Sequence, residues 1–316
     1  MQPIGGYFSL ELPWHEEYHK EALRLNTGRN SLQYILRAQG YRKVYIPYYT
    51  CEVILEPFQK TGTGYAFYQI DFDFELAEEV CLQDGEAILY TNYFGLKQRY
   101  VERLAEKYGS QLIVDNTQAF YAQPVCGIDT FYTCRKFFGV PDGAYLYTDK
   151  LLDVELEQDI SYDRMTFLTK RIDLGAEAGY ADFREESHGL VGQPIKRMSK
   201  LTERLMLSIN YQAVAIRRRE NYHQLHQELK KSNLLPFPLE DDVVPMAYPY
   251  LTEQEGLREH LIANKIYVAK YWPNVLEWAE NKRIENKLTS SLVPLPIDQR
   301  YGNEEMKYII SKIQET

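Results

Sequence analysis

The stretch AILYTNYFGLKQRYVERLAEKYGSQLIVDN, residues 87–116, has the pattern of a strand, a helix and a second strand. The apolar run 87–95 predicts a buried strand, residues 97–108 have helical spacing, and residues 111–116 predict the next strand. Two strands that are joined through a helix lie parallel in one sheet. The stretch therefore predicts an α/β fold in which helices cover both faces of a mostly parallel sheet.

The same alternation extends outward over residues 28–149. A short helix is predicted at 31–39, ending at Gly40, and a helix at 51–60. Further strands are predicted at 44–49, 66–71, 130–136 and 143–149. Residues 150–195 are charged and interrupted by glycines, and their periodicity is too weak to assign.

The carboxy-terminal part predicts a smaller unit. Residues 199–231 have the spacing of one long connector helix with Ser199 as its N-cap. After the break at 232–242, strands are predicted at 243–251 and 266–272, and helices at 253–264 and 303–314. The chain is therefore predicted to divide into a large α/β domain, 1–231, that includes the connector helix, and a small α+β domain, 232–316.

Charge and composition limit the classes of ligand that the protein is expected to bind. The 45 acidic and 36 basic residues give a net charge of -9, which argues against nucleic acid or anionic lipid as a partner. The four cysteines and six histidines lack metal-ligand spacing, and no apolar window is long enough to span a membrane. A cytoplasmic protein with small-molecule ligands and no metal is expected.

Ligands of open parallel sheets bind at the carboxyl ends of the strands, and two predicted strand ends carry ionisable groups. One strand stops at Asp115, with Gln118 one turn later, and another stops at Lys136. Taken alone, Asp115 is typical of a residue that caps a turn, and a lysine at a strand end is typical of the surface. Taken together, a carboxylate and a desolvated lysine are typical of a site that forms Schiff bases with carbonyls.

Pyridoxal phosphate needs such a lysine, an anionic partner for its pyridine nitrogen and a phosphate cup at a helix start. The predicted helix in LNTGRNSLQYIL opens with Gly28, Arg29, Asn30 and Ser31, whose amides, hydroxyl and charge suit a phosphate. By itself this segment is equally typical of an ordinary helix start.

The chain resembles the DegT/DnrJ family of sugar aminotransferases, which are pyridoxal-phosphate enzymes of fold type I. The family's phosphate turn G-T-x-A-L is similar to residues 28–32 (GRNSL), and its P-x-x-T-aromatic strand is similar to 47–51 (PYYTC). Its D-x-x-Q/H element is similar to 115–118 (DNTQ), its lysine with a following E-G-G is similar to Lys136 with 142–144 (DGA), and its R-M-[ST] element is similar to 197–199 (RMS).

The resemblance implies pyridoxal phosphate on Lys136, Asp115 at the pyridine nitrogen and a homodimer. It further implies a nucleotide-linked keto-sugar as amino acceptor, an amino acid such as glutamate as donor, and a role in polysaccharide biosynthesis. The remaining residues expected at the cofactor are Gly28, Arg29, Asn30, Ser31, Cys51, Gln118 and Thr133. The expected substrate contacts are Tyr48, Asn92, Tyr93 and Arg197.

The chain also departs from the family pattern. Cys51 stands where many members have a ring-stacking aromatic residue. Phe131 replaces a serine, so that Thr133 or Cys134 is expected to stand in, and Ile195 replaces an asparagine that reaches the partner's cofactor. These changes, with a shorter chain, keep open a degenerate homologue that binds without turnover. A sugar dehydratase on the same scaffold is another alternative, but such enzymes commonly have histidine in place of the lysine. A plain nucleotide-binding fold is a further one, but no G-x-G-x-x-G follows a predicted strand in this sequence.

Overall fold

The computed structural model describes residues 4–279 and 283–315. Its main feature is a sheet of seven strands, numbered along the chain: β1 (Leu23–Leu25), β2 (Lys43–Pro47), β3 (Gly64–Tyr68), β4 (Glu86–Thr91), β5 (Leu112–Asp115), β6 (Asp129–Thr133) and β7 (Ala144–Tyr147). The spatial order is β1-β7-β6-β5-β4-β2-β3. The five strands from β3 to β6 are parallel, and the β6–β7 and β7–β1 pairs are antiparallel. The predicted mostly parallel α/β sheet is confirmed.

Helices cover this sheet and continue into the carboxy-terminal part. The described α-helices are α1 (Gly28–Gln39), α2 (Leu55–Thr61), α3 (Gln98–Tyr108), α4 (Thr166–Leu174), α5 (Tyr180–Gly189), α6 (Lys200–Met206), α7 (Tyr211–Leu229), α8 (Leu257–Ala263), α9 (Val275–Trp278), α10 (Ile284–Ser291) and α11 (Asn303–Gln314). The predicted helix 303–314 is confirmed at both ends. The segment 150–195, which the sequence left unassigned, contains α4 and α5.

Helix α1 starts three residues before its predicted first residue because Thr27 caps it. The Thr27 backbone is extended, and its hydroxyl oxygen accepts from the Asn30 amide at 3.2 Å. The apolar face of α1, with Leu32, Ile35 and Leu36, is buried against the sheet. This packing aims the start of α1 at the carboxyl ends of the strands.

The predicted single connector helix is wrong, because the chain breaks between α6 and α7. Ser199 caps α6 as predicted, with its hydroxyl accepting from the Thr202 amide at 3.1 Å. Asn210 then caps α7 by accepting from the Ala213 amide at 3.0 Å. Asparagine side chains compete for backbone groups, so Asn210 favours a new helix start over the middle of a helix.

The carboxy-terminal sheet has two antiparallel strands, β8 (Ala247–Leu251) and β9 (Leu292–Pro296). The predicted strand 266–272 is wrong: this segment has no strand pairing, and Ile266 and Val268 are buried without it. Strand β9 escaped prediction because Pro294 and Pro296 argue against a strand. Opposite Pro294 lies Pro249, so neither residue of this pair has an N–H to offer.

The proposed division at residue 231 remains a prediction. A separate apolar cluster lies between α7, α8, α11 and the two-stranded sheet, and it includes Tyr222, Leu225 and Leu229 of α7. The carboxyl half of α7 therefore packs with the carboxy-terminal unit. Among the described residues, no helix has the length and apolarity that a membrane span requires.

Candidate active site

The strand ends and the start of α1 surround one cavity of about 280 Å³. It opens at the carboxyl ends of β2, β4, β5 and β6, where ligands of open α/β sheets bind. Seven of the predicted site residues line it: Gly28, Arg29, Cys51, Asp115, Gln118, Thr133 and Lys136. The structure therefore brings together residues that lie more than 100 positions apart in the sequence.

Lys136 lies in a tight turn directly after β6. The Phe137 and Phe138 amides both donate to the Cys134 carbonyl, at 3.1 and 3.0 Å. The turn returns to the sheet at Gly143, whose φ of +109° suits glycine, and a Cβ there would lie 2.9 Å from the Cys134 Sγ. The sharp return is what turns Lys136 into the cavity.

The Lys136 amine is enclosed but accessible through the cavity. Its Nζ donates to the Thr117 hydroxyl at 3.0 Å, and its side chain retains solvent contact although protein atoms surround it. Burial lowers the pKa of the Lys136 amine below its ordinary value, while the charge of Asp115 opposes this shift. A lysine in this state has a larger neutral, nucleophilic fraction than a surface lysine.

Asp115 is buried at the end of β5, and the turn cap weighed from the sequence is present. Its Oδ1 accepts from the Thr117 amide at 2.8 Å, which caps the turn after β5. Its Oδ2 accepts from the Thr91 hydroxyl at 3.5 Å, a long contact that leaves this oxygen with capacity for a ligand in the cavity.

Gln118 is oriented by the backbone of another strand end. Its Oε1 accepts from the Phe94 amide at 2.8 Å. Phe94 has a φ of +56°, so this bond also holds an unfavourable backbone conformation. With Oε1 engaged, the Nε2 group of Gln118 is the donor left for a ligand.

Of the four residues predicted to bind an anion at the start of α1, only Gly28 and Arg29 line the cavity. A Cβ on Gly28 would lie 3.3 Å from the Thr117 Cγ2, so glycine allows the helix start to approach the cavity closely. Arg29 lines the cavity, and its Nη1 donates to Glu56 at 2.8 Å. Asn30 and Ser31 are buried away from the cavity: Asn30 donates to the Asn26 side chain, and the Ser31 hydroxyl donates to the Thr27 carbonyl.

The four predicted substrate contacts do not line the cavity. Tyr48 stacks on Phe67 with ring centroids 4.7 Å apart. Asn92 is fully buried, and its Oδ1 accepts from the Lys97 amide just before α3. Tyr93 is also fully buried and donates to the Tyr49 carbonyl at 2.8 Å, whereas Arg197 is exposed at the surface. A substrate role for these residues remains a prediction.

Sequence reasoning missed several residues that line the cavity. Trp272 enters it from the segment that was predicted as a strand, and Asn274 anchors this segment by donating to the Thr50 carbonyl at 3.0 Å. Phe183 and Leu190 enter from α5 and the residue after it. No local pattern pointed to these contacts, since they depend on long-range packing. Arg135 and Thr117, by contrast, lie beside predicted site residues in the sequence.

The cavity has two sets of charged groups. The Lys136 amine interacts electrostatically with Asp115 and Cys51. Arg29 and Arg135 both donate to the end of α5, to the Leu190 carbonyl at 3.4 Å and the Ser187 hydroxyl at 3.3 Å. Among the described residues, no group of three or more histidine, cysteine or acidic side chains is arranged to hold a metal ion.

Solved structures of sugar aminotransferases are similar to this chain over almost its whole length. A DegT/DnrJ/EryC1/StrS aminotransferase from Brucella abortus is 17% identical with a TM-score of 0.61, covering 94% of this chain and 86% of its own. The Helicobacter pylori aminotransferase PseC, involved in the biosynthesis of pseudoaminic acid, is 15% identical with a TM-score of 0.65 over the same shares. The chain has their fold.

The same fold also includes a different activity. The dehydratase ColD, solved with bound GDP-perosamine, is 14% identical with a TM-score of 0.62, covering 92% of this chain and 88% of its own. No model of a known protein family matches the chain, and no curated protein matches it either. At these identities the comparisons establish the fold, and the function depends on the residues in the cavity.

Proposed function

We propose that the protein is a pyridoxal-phosphate-dependent aminotransferase of the cytoplasm that acts on a nucleotide-linked keto-sugar, with an amino acid such as glutamate as amino donor. The observation that carries this proposal is that the Lys136 amine and the Asp115 carboxylate line one cavity at neighbouring strand ends. The same cavity is lined by Arg29 and Arg135. An amine, a carboxylate and guanidinium groups around one cavity fit pyridoxal phosphate.

When bound, pyridoxal phosphate supplies an electron sink for the carbanion that transamination requires. The Lys136 Nζ would hold the cofactor and would move a proton to and from the substrate carbon. Thr117 positions that amine through its 3.0 Å bond. Asp115 would hold a positive charge on the pyridine nitrogen, and Gln118 would offer its Nε2 as a donor.

The substrate class rests on two supports. ColD was solved with bound GDP-perosamine and PseC takes part in pseudoaminic acid biosynthesis, so proteins with this fold act on sugars. Lys136 favours transamination over dehydration, because dehydratases of this kind commonly carry histidine at the lysine position. We propose that glutamate donates the amino group by the same resemblance.

Covalent labelling of Lys136 tests the proposal. Purified protein is incubated with pyridoxal phosphate, reduced with borohydride and mapped by mass spectrometry, and the label is expected on Lys136. Because only the neutral amine attacks a carbonyl and burial lowers the pKa of Lys136, labelling of Lys136 is expected to extend to lower pH than labelling of surface lysines and to decline as the pH falls through that pKa.

Two variants control this experiment. Lys136→Met should abolish the cavity label, whereas Lys150→Met, at an exposed lysine outside the cavity, should leave it unchanged. A label on another lysine, or equal labelling of Lys136→Met and wild type, would contradict the assignment. Protein that is labelled on Lys136 but transfers no amino group from any donor would support the degenerate homologue.

A further inference from the structure

Arg135 lines the cavity and directly precedes Lys136 in the sequence. Its guanidinium lies beside the paired rings of Phe167 and Phe183, 5.9 and 5.7 Å from their centroids. Its Nη2 donates to the Ser187 hydroxyl at 3.3 Å, and its Nε is buried with no hydrogen-bond partner among the described residues. A buried guanidinium with an unused donor is costly unless it binds something else.

The neighbouring arginines already have carboxylate partners. Arg29 pairs with Glu56 at 2.8 Å. Arg164 pairs with Asp159 at 2.7 Å and approaches Asp142 at 3.6 Å and Glu186 at 3.8 Å. Within residues 4–279 and 283–315, no carboxylate oxygen lies within 4.0 Å of an Arg135 nitrogen. Of these three arginines, Arg135 is therefore the one that lines the cavity without a carboxylate partner.

The surroundings of Arg135 indicate which chemical group of a ligand it would bind. It contacts the end of α5, as Arg29 does, and both arginines line the cavity. Phe131 also lines the cavity at this end of α1 and α5, and it offers no hydroxyl or amide group. A guanidinium binds phosphate through two parallel N–H donors, which one lysine cannot provide.

We propose that Arg135 binds the phosphate monoester of the cofactor, and that it supplies the donors that Phe131 lacks. This inference rests on the proposed function for the identity of the ligand, but the anion site itself does not. The competing explanation is structural: Arg135 balances the charge of Glu186 and holds the two phenylalanine rings. The two explanations differ in what happens when the ligand has no phosphate.

The test compares pyridoxal phosphate, pyridoxal and inorganic phosphate on wild-type protein and on Arg135→Gln. Affinities are measured by absorbance titration for the two aldehydes and by calorimetry for inorganic phosphate. We expect Arg135→Gln to weaken pyridoxal phosphate about 10- to 100-fold and inorganic phosphate measurably, with pyridoxal unchanged, as the loss of charge-assisted bonds predicts. Arg135→Lys should lie between the two proteins, and it serves in place of Arg135→Gln should that variant not fold.

Arg171→Gln is the matched control, because it removes the same charge from the exposed side of the neighbouring helix α4. It should bind all three ligands as wild type does. Equal weakening of pyridoxal and pyridoxal phosphate in Arg135→Gln, or no change in either, would overturn the proposal, as would wild-type protein that binds neither phosphate ligand. Arg135-dependent binding of inorganic phosphate without any binding of pyridoxal phosphate would uphold the anion site while rejecting the proposed cofactor.

Discussion

Asp115 shows how one carboxylate serves the fold and the site at the same time. One of its oxygens caps the turn after β5, and the other is directed toward the cavity. The residue type and its place at a strand end were readable from the sequence. The division of labour between the two oxygens was not, because it depends on Thr91 and Thr117 reaching the carboxylate from opposite sides.

The variant Asp115→Asn distinguishes the turn cap from the proposed contact with the cofactor. The amide oxygen of asparagine can still accept from the Thr117 amide, so the free energy of unfolding should change by about 1 kcal/mol or less. The charge opposite the pyridine nitrogen is lost, which is worth about 2 to 5 kcal/mol, so transamination should fall by roughly 30-fold or more. The measurement follows the conversion of the bound cofactor to its amine form with excess glutamate. Equal conversion rates in both proteins would reject the catalytic role of Asp115.

At the scale of the elements, the sequence predicted best where the periodicity is local. Strands β4 and β5 and helices α3 and α11 follow from runs such as 87–116 without knowledge of their neighbours. The segment 266–272 was mispredicted because an apolar run fits both a strand and an irregular buried segment. Strand β9 and the entry of Trp272 into the cavity depend on partners distant in the chain.

The prediction at the scale of the elements concerns Trp272. Its indole lines the cavity together with Cys51, and the Asn274 bond to Thr50 fixes its segment there. A flat aromatic side chain at this wall should contact the cofactor ring, so Trp272→Ala should weaken pyridoxal and pyridoxal phosphate alike by about tenfold. Absorbance titration of both ligands checks this. Trp278→Ala is the control, since Trp278 packs on Phe67 outside the cavity; equal losses in the two variants would count against the contact.

At the scale of the whole molecule, exposed apolar side chains are frequent in two segments, 4–14 and 151–191. The second segment has nine large apolar residues that are more than 40% exposed: Leu151, Val154, Ile160, Tyr162, Ile172, Leu174, Tyr180, Phe183 and Val191. Exposed apolar residues in this number are typical of an interaction surface, and the prediction concerns the surface of segment 151–191. Arg197, also exposed, follows the same segment.

We predict that this surface joins two copies of the chain. Light scattering at micromolar concentration should give twice the mass of one chain. Ile172, which is 83% exposed, is replaced by aspartate in the test variant. Ile172→Asp should shift the equilibrium toward the monomer, because a charge would be buried in the contact. Ile216→Asp on α7, half exposed outside this segment, should leave the mass unchanged. A monomeric wild type would reject the dimer.

The prolines of the two-stranded sheet have a consequence for how the molecule behaves in a crowded solution. Along the outer edge of β9, the Leu292 amide donates to the Leu288 carbonyl, and Pro294 and Pro296 have no N–H. A strand from another molecule therefore finds no backbone donor along this edge, although sheet edges are the usual starting point for polymerisation. The residues that obscured β9 in the sequence thus make its edge a poor template for fibrous aggregation.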